Sequence, residues 1–225
     1  MSPHGEARVA ITPFEAAVVV TICFGLFIYG SVVAVIRNFP SQPFSDGDFS
    51  NLVVHELVVA MAALAFLGAR GYAVRTLAPQ PTGRGAALGA ALFLGCWLVV
   101  TPMLATIASA IAPNPDQEPI ERMVTEARLS LAAIVPMAIV NGVFEEVFLL
   151  AVLMRGLRRF GLSFALGAML LVRLSYHLYQ GPQGALSVLG FGVVLGLFYA
   201  RNEHLWPPVV AHVLADIVPF ALYSR

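Results

Sequence analysis

Apolar stretches long enough to cross a membrane recur along the chain, separated by short segments that carry proline, glycine or charge. About 20 apolar residues in a helix suffice to cross the hydrocarbon core of a bilayer. We expect helices because a lipid-exposed open sheet would leave backbone groups unpaired. The predicted spans cover residues 13–36, 52–67, 85–111, 129–153, 162–179, 185–200 and 207–222. The pattern predicts an all-α membrane protein, a bundle of about seven (six to eight) transmembrane helices.

The composition supports the same fold class. Apolar residues make up 59% of the 225 residues and charged residues only 12%, and the mean hydropathy is +0.82. Soluble domains carry about 25% charged residues, so a soluble globule is excluded. We therefore expect a single transmembrane domain over residues 1–225, with membrane lipids as partners. The 13 basic residues balance the 13 acidic ones, so no nucleic-acid partner is expected.

Arginines are distributed unequally between the two ends of the predicted helices. With the N-terminus in the cytoplasm, one end carries Arg8, Arg70, Arg75, Arg84, Arg155, Arg158, Arg159 and Arg201, and the other carries Arg37, Arg122, Arg128 and Arg225. Basic residues are enriched on the cytoplasmic side of membrane proteins. We expect an integral protein of a bacterial inner membrane with a cytoplasmic N-terminus.

Six acidic, basic or histidine side chains lie inside the predicted spans of the C-terminal half of the chain. An ionised group at the centre of a bilayer costs at least about 2.5 to 3.5 kcal/mol, so such groups normally face the interior, have partners and are functional. They fall into three successive clusters, which predicts one shared internal cavity. The six residues are Glu145, Glu146, Arg173, His177, His212 and Asp216.

The spacing of these residues suggests their chemistry. The two adjacent glutamates point about 100° apart on a helix, so we expect different roles for them. Arg173 and His177 are four residues apart and share a helix face, as do His212 and Asp216. One carboxylate and two imidazoles can supply a general base for water and donors for an oxyanion, as peptide hydrolysis requires. They can equally supply metal ligands.

At these residues the chain resembles the CPBP intramembrane proteases, the family of CAAX-processing and bacteriocin-processing enzymes that is also called the Abi family. The family pattern is Glu-Glu-x-x-x-Arg, then Phe-x-x-x-His, then His-x-x-x-Asn or Asp, each on its own transmembrane helix. The matching positions are Glu145, Glu146, His177, His212 and Asp216. The resemblance covers residues 140–217 and places a family-like catalytic core at about residues 125–222.

Two positions depart from the family pattern. Leu150 stands where the family has the arginine of its first motif, and Arg173 stands where it has the phenylalanine of its second. A buried arginine without an acid would be costly in a membrane. We therefore expect Arg173 to pair with Glu146 and to supply from the neighbouring helix the guanidinium that Leu150 lacks.

The resemblance also implies roles. Glu145 would activate the attacking water together with His177, His212 and Asp216 would stabilise the oxyanion, and Glu146 would be their supporting partner. The substrate would be a peptide or a membrane protein. A divalent metal such as zinc could be bound by Glu145, His177 and His212, or the reaction could depend on the glutamate without a metal. Nothing in the sequence encodes a preference for the prenylated tails that eukaryotic members process.

Other functions remain open from the sequence. The two departures would fit a catalytically silent scaffold or immunity protein that keeps the fold. Glutamates and histidines inside a membrane would also fit a small proton-coupled transporter, although we find no inverted repeat of the kind that many transporters contain. His55 and Glu56 do not complete a His-Glu-x-x-His zinc motif, and we expect them to have an interfacial role.

Overall fold

The computed structural model describes residues 8–39, 42–111 and 118–224; Arg225, which enters the predicted orientation, lies outside them. The helices in these residues are α1 (Pro13–Ile36), α2 (Asp46–Ala69), α3 (Gly83–Gly95), α4 (Thr101–Ile111), α5 (Pro119–Thr125), α6 (Leu131–Glu146), α7 (Arg155–Leu157), α8 (Leu162–His177), α9 (Gly181–Asn202) and α10 (Trp206–Tyr223). Short π-helical segments join α3 to α4 and α6 to α7.

Six helical stretches of the described residues are long and apolar enough to cross a membrane. The longest, Leu162–Asn202 with 41 residues, consists of two helices. A 3₁₀ turn and the positive φ of Gly181 (+85°) separate α8 from α9. Gly192 lies against Arg173 and Gly196 against Met169, so the two helices pack antiparallel. The predicted fold class is confirmed: the protein is an all-α membrane protein, with seven membrane helices in the described ranges.

The second membrane helix begins earlier than its apolar stretch. The Ser45 side chain accepts a hydrogen bond from the Asp48 backbone N–H, and the Asp48 carboxylate accepts one from the Ser45 backbone N–H. This capping box satisfies two N–H groups that a helix N-terminus would otherwise leave unpaired. The polar first turn therefore belongs to α2, although hydropathy alone places the start at Leu52.

The stretch Leu131–Phe160 forms the centre of the bundle. In its most apolar window 78% of the residues are buried, against at most 33% in the other five stretches. Its π-helical segment, Val147–Met154, is buried throughout. Leu150 is fully buried in this apolar core, so the place of the family arginine is occupied here by a packing residue.

Glycines bring α10 close to two of its neighbours. A Cβ atom at Gly89 of α3 would lie 2.6 Å from the Val210 Cβ, and one at Gly142 of α6 would lie 2.9 Å from a methyl carbon of Val213. Because glycine has no side chain at these contacts, α10 packs directly on both helices. This close approach holds His212 and Asp216 beside α6.

Three charged side chains form a cluster where α1 begins and α2 ends. The Glu15 carboxylate is fully buried. It accepts hydrogen bonds from Arg8 Nη2 at 2.7 Å, from Arg70 Nε at 3.0 Å and from the Thr12 backbone N–H at 2.8 Å. We call Arg8, Glu15 and Arg70 the end cluster. It ties the start of α1 to the end of α2.

Candidate active site

A cavity of about 720 Å³ opens between the membrane helices. It reaches the end of the bundle where α1 ends and α2 begins, and α5 covers one side of its mouth. Seven phenylalanines line its wall: Phe24, Phe27, Phe39, Phe44, Phe49, Phe144 and Phe220. Four of the predicted site residues line the cavity: Glu145, His177, His212 and Asp216. Glu146 and Arg173, the other two, lie buried behind them.

Glu145 faces the cavity from the last turn of α6. It is 5% exposed, and the Tyr176 hydroxyl donates a hydrogen bond to its Oε2. Arg173 Nη1 lies 4.0 Å from the same oxygen, which is within reach of a weak ion pair. The carboxylate is therefore fixed in orientation while it stays accessible from the cavity.

Glu146 points away from the cavity, as expected for a residue one position further along the helix. Its Oε1 accepts a hydrogen bond from Arg173 Nη2 at 2.5 Å and one from His212 Nδ1 at 2.6 Å. Both Glu146 and Arg173 are buried almost completely. This is the ion pair that the sequence analysis expects. It joins α6, α8 and α10 behind the cavity wall.

Arg173 reaches Glu146 because α9 leaves room for it. A Cβ atom at Gly192 would lie 2.9 Å from the Arg173 Cδ and 3.0 Å from a methyl carbon of Leu170. The absence of that atom lets the long arginine side chain lie flat between α8 and α9. The guanidinium thus arrives from a neighbouring helix, while Leu150 packs in the core.

His177 is the last residue of α8. Its Nδ1 lies 2.9 Å from the Arg173 carbonyl oxygen. A carbonyl only accepts, so Nδ1 carries the proton in this contact and the neutral ring has its lone pair on Nε2. The ring lines the cavity beside Tyr176. Nε2 has no hydrogen-bond partner among the residues that the structure describes, so it can accept a proton.

His212 and Asp216 face the cavity from successive turns of α10. His212 Nε2 lies 3.8 Å from Glu145 Oε2 and 3.8 Å from Asp216 Oδ2. Asn141 donates a hydrogen bond to Asp216 Oδ2 at 3.0 Å, and its amide nitrogen is 3.5 Å from His212 Nε2. Carboxylates surround this imidazole, so it is placed to carry a proton and to donate from Nε2.

Residues 127–218 match the family of Rce1-like type II CAAX prenyl endopeptidases. The family resemblance is confirmed. No curated protein and no solved structure matches the chain. The Rce1-like segment begins just before α6 and ends in α10, so it contains all six predicted site residues.

Sequence reasoning missed several polar groups at the cavity, among them Asn141, Tyr176 and Glu56. Asn141 lies one turn before Glu145 on α6, within the Rce1-like segment. It is four residues before Glu145 and is a polar residue in an apolar run, which is a signal that the sequence does contain. Tyr176 is adjacent to His177. Glu56 lies on α2, outside the Rce1-like segment, and lines the cavity at 2% exposure. The interfacial role expected for Glu56 is therefore wrong, because its side chain is buried in the cavity wall; His55 also lines the cavity.

A metal could be bound by three buried residues of the site. Ligand atoms of Glu145, Glu146 and His212 lie within 4.8 Å of one another. Two carboxylates and an imidazole are a suitable set for zinc. The set expected from the sequence has His177 in place of Glu146, and it stays a prediction. Arg173 neutralises the carboxylate of Glu146 directly, which competes with a cation at that oxygen.

The mouth of the cavity carries a buried carboxyl group outside the membrane helices. Glu118 precedes α5 and is 6% exposed. Its Oε2 accepts a hydrogen bond from the Gln183 backbone N–H at 3.3 Å, near the start of α9. Burial raises the pKa of the Glu118 carboxyl above its ordinary value. Glu118 thus connects the segment that covers the mouth to the membrane helices.

Proposed function

We propose that this protein is an intramembrane endopeptidase of the CAAX-processing type, and that Glu145 and His177 activate water for attack on a peptide bond. The observation that carries the proposal is that Glu145, His177, His212 and Asp216, from three helices, line one cavity. They do so within the Rce1-like segment and in the order of the family motifs. The apolar wall suits a segment of a membrane protein or a membrane-bound peptide.

The attack step uses the free groups of the site. A water molecule between Glu145 and His177 gives a proton to the Glu145 carboxylate as its oxygen bonds to the carbonyl carbon of the substrate. His177 accepts a hydrogen bond from the same water through Nε2. When the carbon–nitrogen bond breaks, the proton passes from Glu145 to the leaving amine. A positioned base of this kind contributes about 10²- to 10⁴-fold to the rate.

The developing oxyanion needs donors, and α10 and α6 supply them. In this proposal the protonated His212 donates from Nε2, and the Asn141 amide is close enough to assist. An ionised aspartate accepts hydrogen bonds only, so Asp216 acts by holding Asn141 and His212 in place. Family members with asparagine at the position of Asp216 would donate there directly.

The Glu146–Arg173 pair orients these groups from behind. Glu146 holds His212 through Nδ1, and Arg173 balances the charge of both glutamates. If a metal is bound at Glu145, Glu146 and His212, it would supply Lewis-acid polarisation of the carbonyl. The steps above require only side chains of the chain itself.

Cleavage by purified protein tests the proposal. Wild-type protein in detergent should cleave members of a library of membrane-proximal peptides, and Glu145→Gln and His177→Ala should each lower the rate by at least about 10²-fold. Glu121→Gln, at an exposed position of α5, is the matched control and should retain the rate. Wild-type protein that cuts no peptide while a partner protein co-purifies would favour a scaffold or immunity role. Proton-dependent uptake into liposomes would favour a transporter.

The side from which substrate enters depends on the orientation in the membrane. The mouth lies at the arginine-poor end of the bundle, so a cytoplasmic N-terminus would place it on the opposite, non-cytoplasmic side. Glu121→Cys and Glu203→Cys introduce exposed thiols at opposite ends of the bundle. In intact cells a membrane-impermeant maleimide should label position 121 and spare position 203. The reverse pattern would show that the mouth faces the cytoplasm.

A further inference from the structure

Glu56 is a buried carboxyl group for which the hydrolytic steps have no use. It lies on α2 in the cavity wall, is 2% exposed, and its Oε2 has no hydrogen-bond partner among the described residues. Glu145 and Asp216 line the same cavity, so the acidic groups of the wall lie around one space. A buried carboxylate without a partner is costly, and a positive group that binds beside it removes that cost.

The charges along the cavity wall are unbalanced. Four carboxylates line it, and neither lysine nor arginine is among the lining residues that the structure describes; the carboxylates are Asp48, Glu56, Glu145 and Asp216. Arg173 is buried behind the wall and is already paired with Glu146. His212 is surrounded by Glu145, Glu146 and Asp216. Glu56 is therefore the buried acid of the wall to which the protein itself brings no cation.

The apolar part of the wall narrows the nature of the missing cation. The cavity is lined by phenylalanine rings, among them Phe27 and Phe49 on the first two helices. Lysine and arginine have a long apolar stem that packs on such surfaces and a charged head. Aromatic faces also attract cations directly. A basic side chain fits this combination of aromatic wall and unpartnered carboxylate better than a small hydrated ion does.

We propose that Glu56 is a specificity-determining residue that binds a lysine or arginine side chain of the substrate. The inference rests on the proposed endopeptidase function and adds a substrate class to it. The stem of the basic residue packs on the phenylalanine rings, and its head pairs with the Glu56 carboxylate. Glu56 then selects the segment that enters the cavity, while Glu145 and His177 act on its peptide bond.

Binding and cleavage are measured separately to test this role. The probes are a fluorescein-labelled apolar peptide with one lysine, the same peptide with norleucine at that position, and the same peptide with glutamate. Wild-type protein in detergent should bind the lysine peptide at least about tenfold more tightly than the norleucine peptide, and the glutamate peptide most weakly. Fluorescence anisotropy in the Glu145→Gln background reports binding without hydrolysis.

Two substitutions isolate the charge of Glu56. Glu56→Gln keeps the shape and should bind the lysine and norleucine peptides equally, whereas Glu56→Asp keeps the charge and should retain the preference. Glu121→Gln removes an exposed charge from the same end of the protein and should change neither affinity. In cleavage, Glu56→Gln should raise KM for the lysine peptide and leave kcat for the norleucine peptide unchanged.

Several results would overturn the inference. Equal affinity of wild-type protein for the three peptides would do so even if Glu56→Gln fails to fold. So would a lysine preference that persists in Glu56→Gln, or a fall in kcat for both peptides, which would place Glu56 in the chemistry. Charge-selective binding without any cleavage would instead contradict the proposed function and leave the selectivity of the cavity standing.

Discussion

Two clusters of arginine and glutamate use the same ion pair in different surroundings. In the end cluster, Glu15 is fully buried, but its partners Arg8 and Arg70 remain 36% and 54% exposed. In the site cluster, which we define as Glu145, Glu146, Arg173 and His212, every side chain is at most 7% exposed. Water therefore helps to screen the charges of the end cluster. The charges of the site cluster are buried, so they must be balanced by one another inside the protein.

The carboxylates of the two clusters differ in how much of their hydrogen-bonding capacity is already used. Both oxygens of Glu15 accept hydrogen bonds, from two arginines and one backbone N–H. Glu146 Oε2 has no partner among the described residues. Within the described part of the chain, Glu145 accepts one hydrogen bond, from Tyr176, and it faces the cavity. Saturation suits a structural contact, and unused hydrogen-bonding capacity suits a site that receives a ligand.

The largest expected effect comes from removing the buried cation of the site cluster. Arg173→Leu leaves Glu146 buried without its ion partner and should lower the free energy of unfolding by about 3 to 5 kcal/mol, with loss of cleavage. Thermal unfolding can be followed by a thiol-reactive dye, because Cys23 and Cys96 are buried and free. Adding Leu150→Arg should restore part of the stability.

The control for that substitution is Arg201→Leu. Arg201 is exposed at the end of α9, so its loss should change the free energy of unfolding by at most about 0.5 kcal/mol. A fully active and stable Arg173→Leu variant would contradict the role assigned to the Glu146–Arg173 pair.

A substitution in the end cluster should lower stability and leave the cleavage rate of the folded protein unchanged. Glu15→Gln removes the charge that binds Arg8 and Arg70 and should lower the free energy of unfolding by about 1 to 3 kcal/mol. Cleavage per folded molecule, counted from the fraction that keeps its cysteines protected, should equal that of wild-type protein. Lost cleavage in the folded fraction would mean that the end cluster and the site cluster are coupled, and that the end cluster is more than a structural contact.

A packing change beside Arg173 should have a smaller effect on stability than the loss of Arg173 itself. In Gly192→Ala the new methyl group meets the Arg173 side chain and should cost about 1 to 3 kcal/mol of stability and lower the cleavage rate. The matched control is Gly167→Ala on α8, where nothing lies within 4 Å of the added carbon. It should stabilise the helix by up to about 1 kcal/mol. Equal outcomes for the two variants would show that Arg173 needs no space from α9.

The smallest expected effect is a pH dependence at the cavity mouth. Burial raises the pKa of Glu118 in the folded protein, so the folded state binds more protons than the unfolded state between the ordinary and the raised pKa. Its contribution to stability is therefore greatest below the ordinary pKa and falls as pH rises through the raised one. Glu118→Gln should reduce the change of the unfolding temperature with pH over that range. An unchanged slope would contradict this contribution of Glu118.

Much of the fold could be predicted because a membrane helix shows in hydropathy alone. The seven spans and the fold class follow from apolar length, and the start of α2 was missed because a polar capping box at Ser45 precedes the apolar run. The π-helical segment Val147–Met154 could not be predicted. Continuous apolar residues carry no mark of the change from α- to π-helical hydrogen bonding.

The candidate site divides in the same way. Ionisable side chains in apolar spans were enough to predict a shared cavity, and the cost of a buried arginine was enough to predict the partner of Arg173. Glu56 was missed because its place in the cavity arises from the packing of α2 against α6, far away in sequence. One acid on an otherwise ordinary span does not reveal which neighbours surround it.

Arg173 serves the site through two different parts of one residue. Its guanidinium holds Glu146 while its carbonyl oxygen fixes the ring of His177. A sliding of α8 by even one residue along its axis would displace both at once. The position of α8 along its axis thus fixes both the ion pair with Glu146 and the orientation of the His177 ring. A substitution of the Arg173 side chain removes the ion pair but keeps the carbonyl oxygen that orients His177.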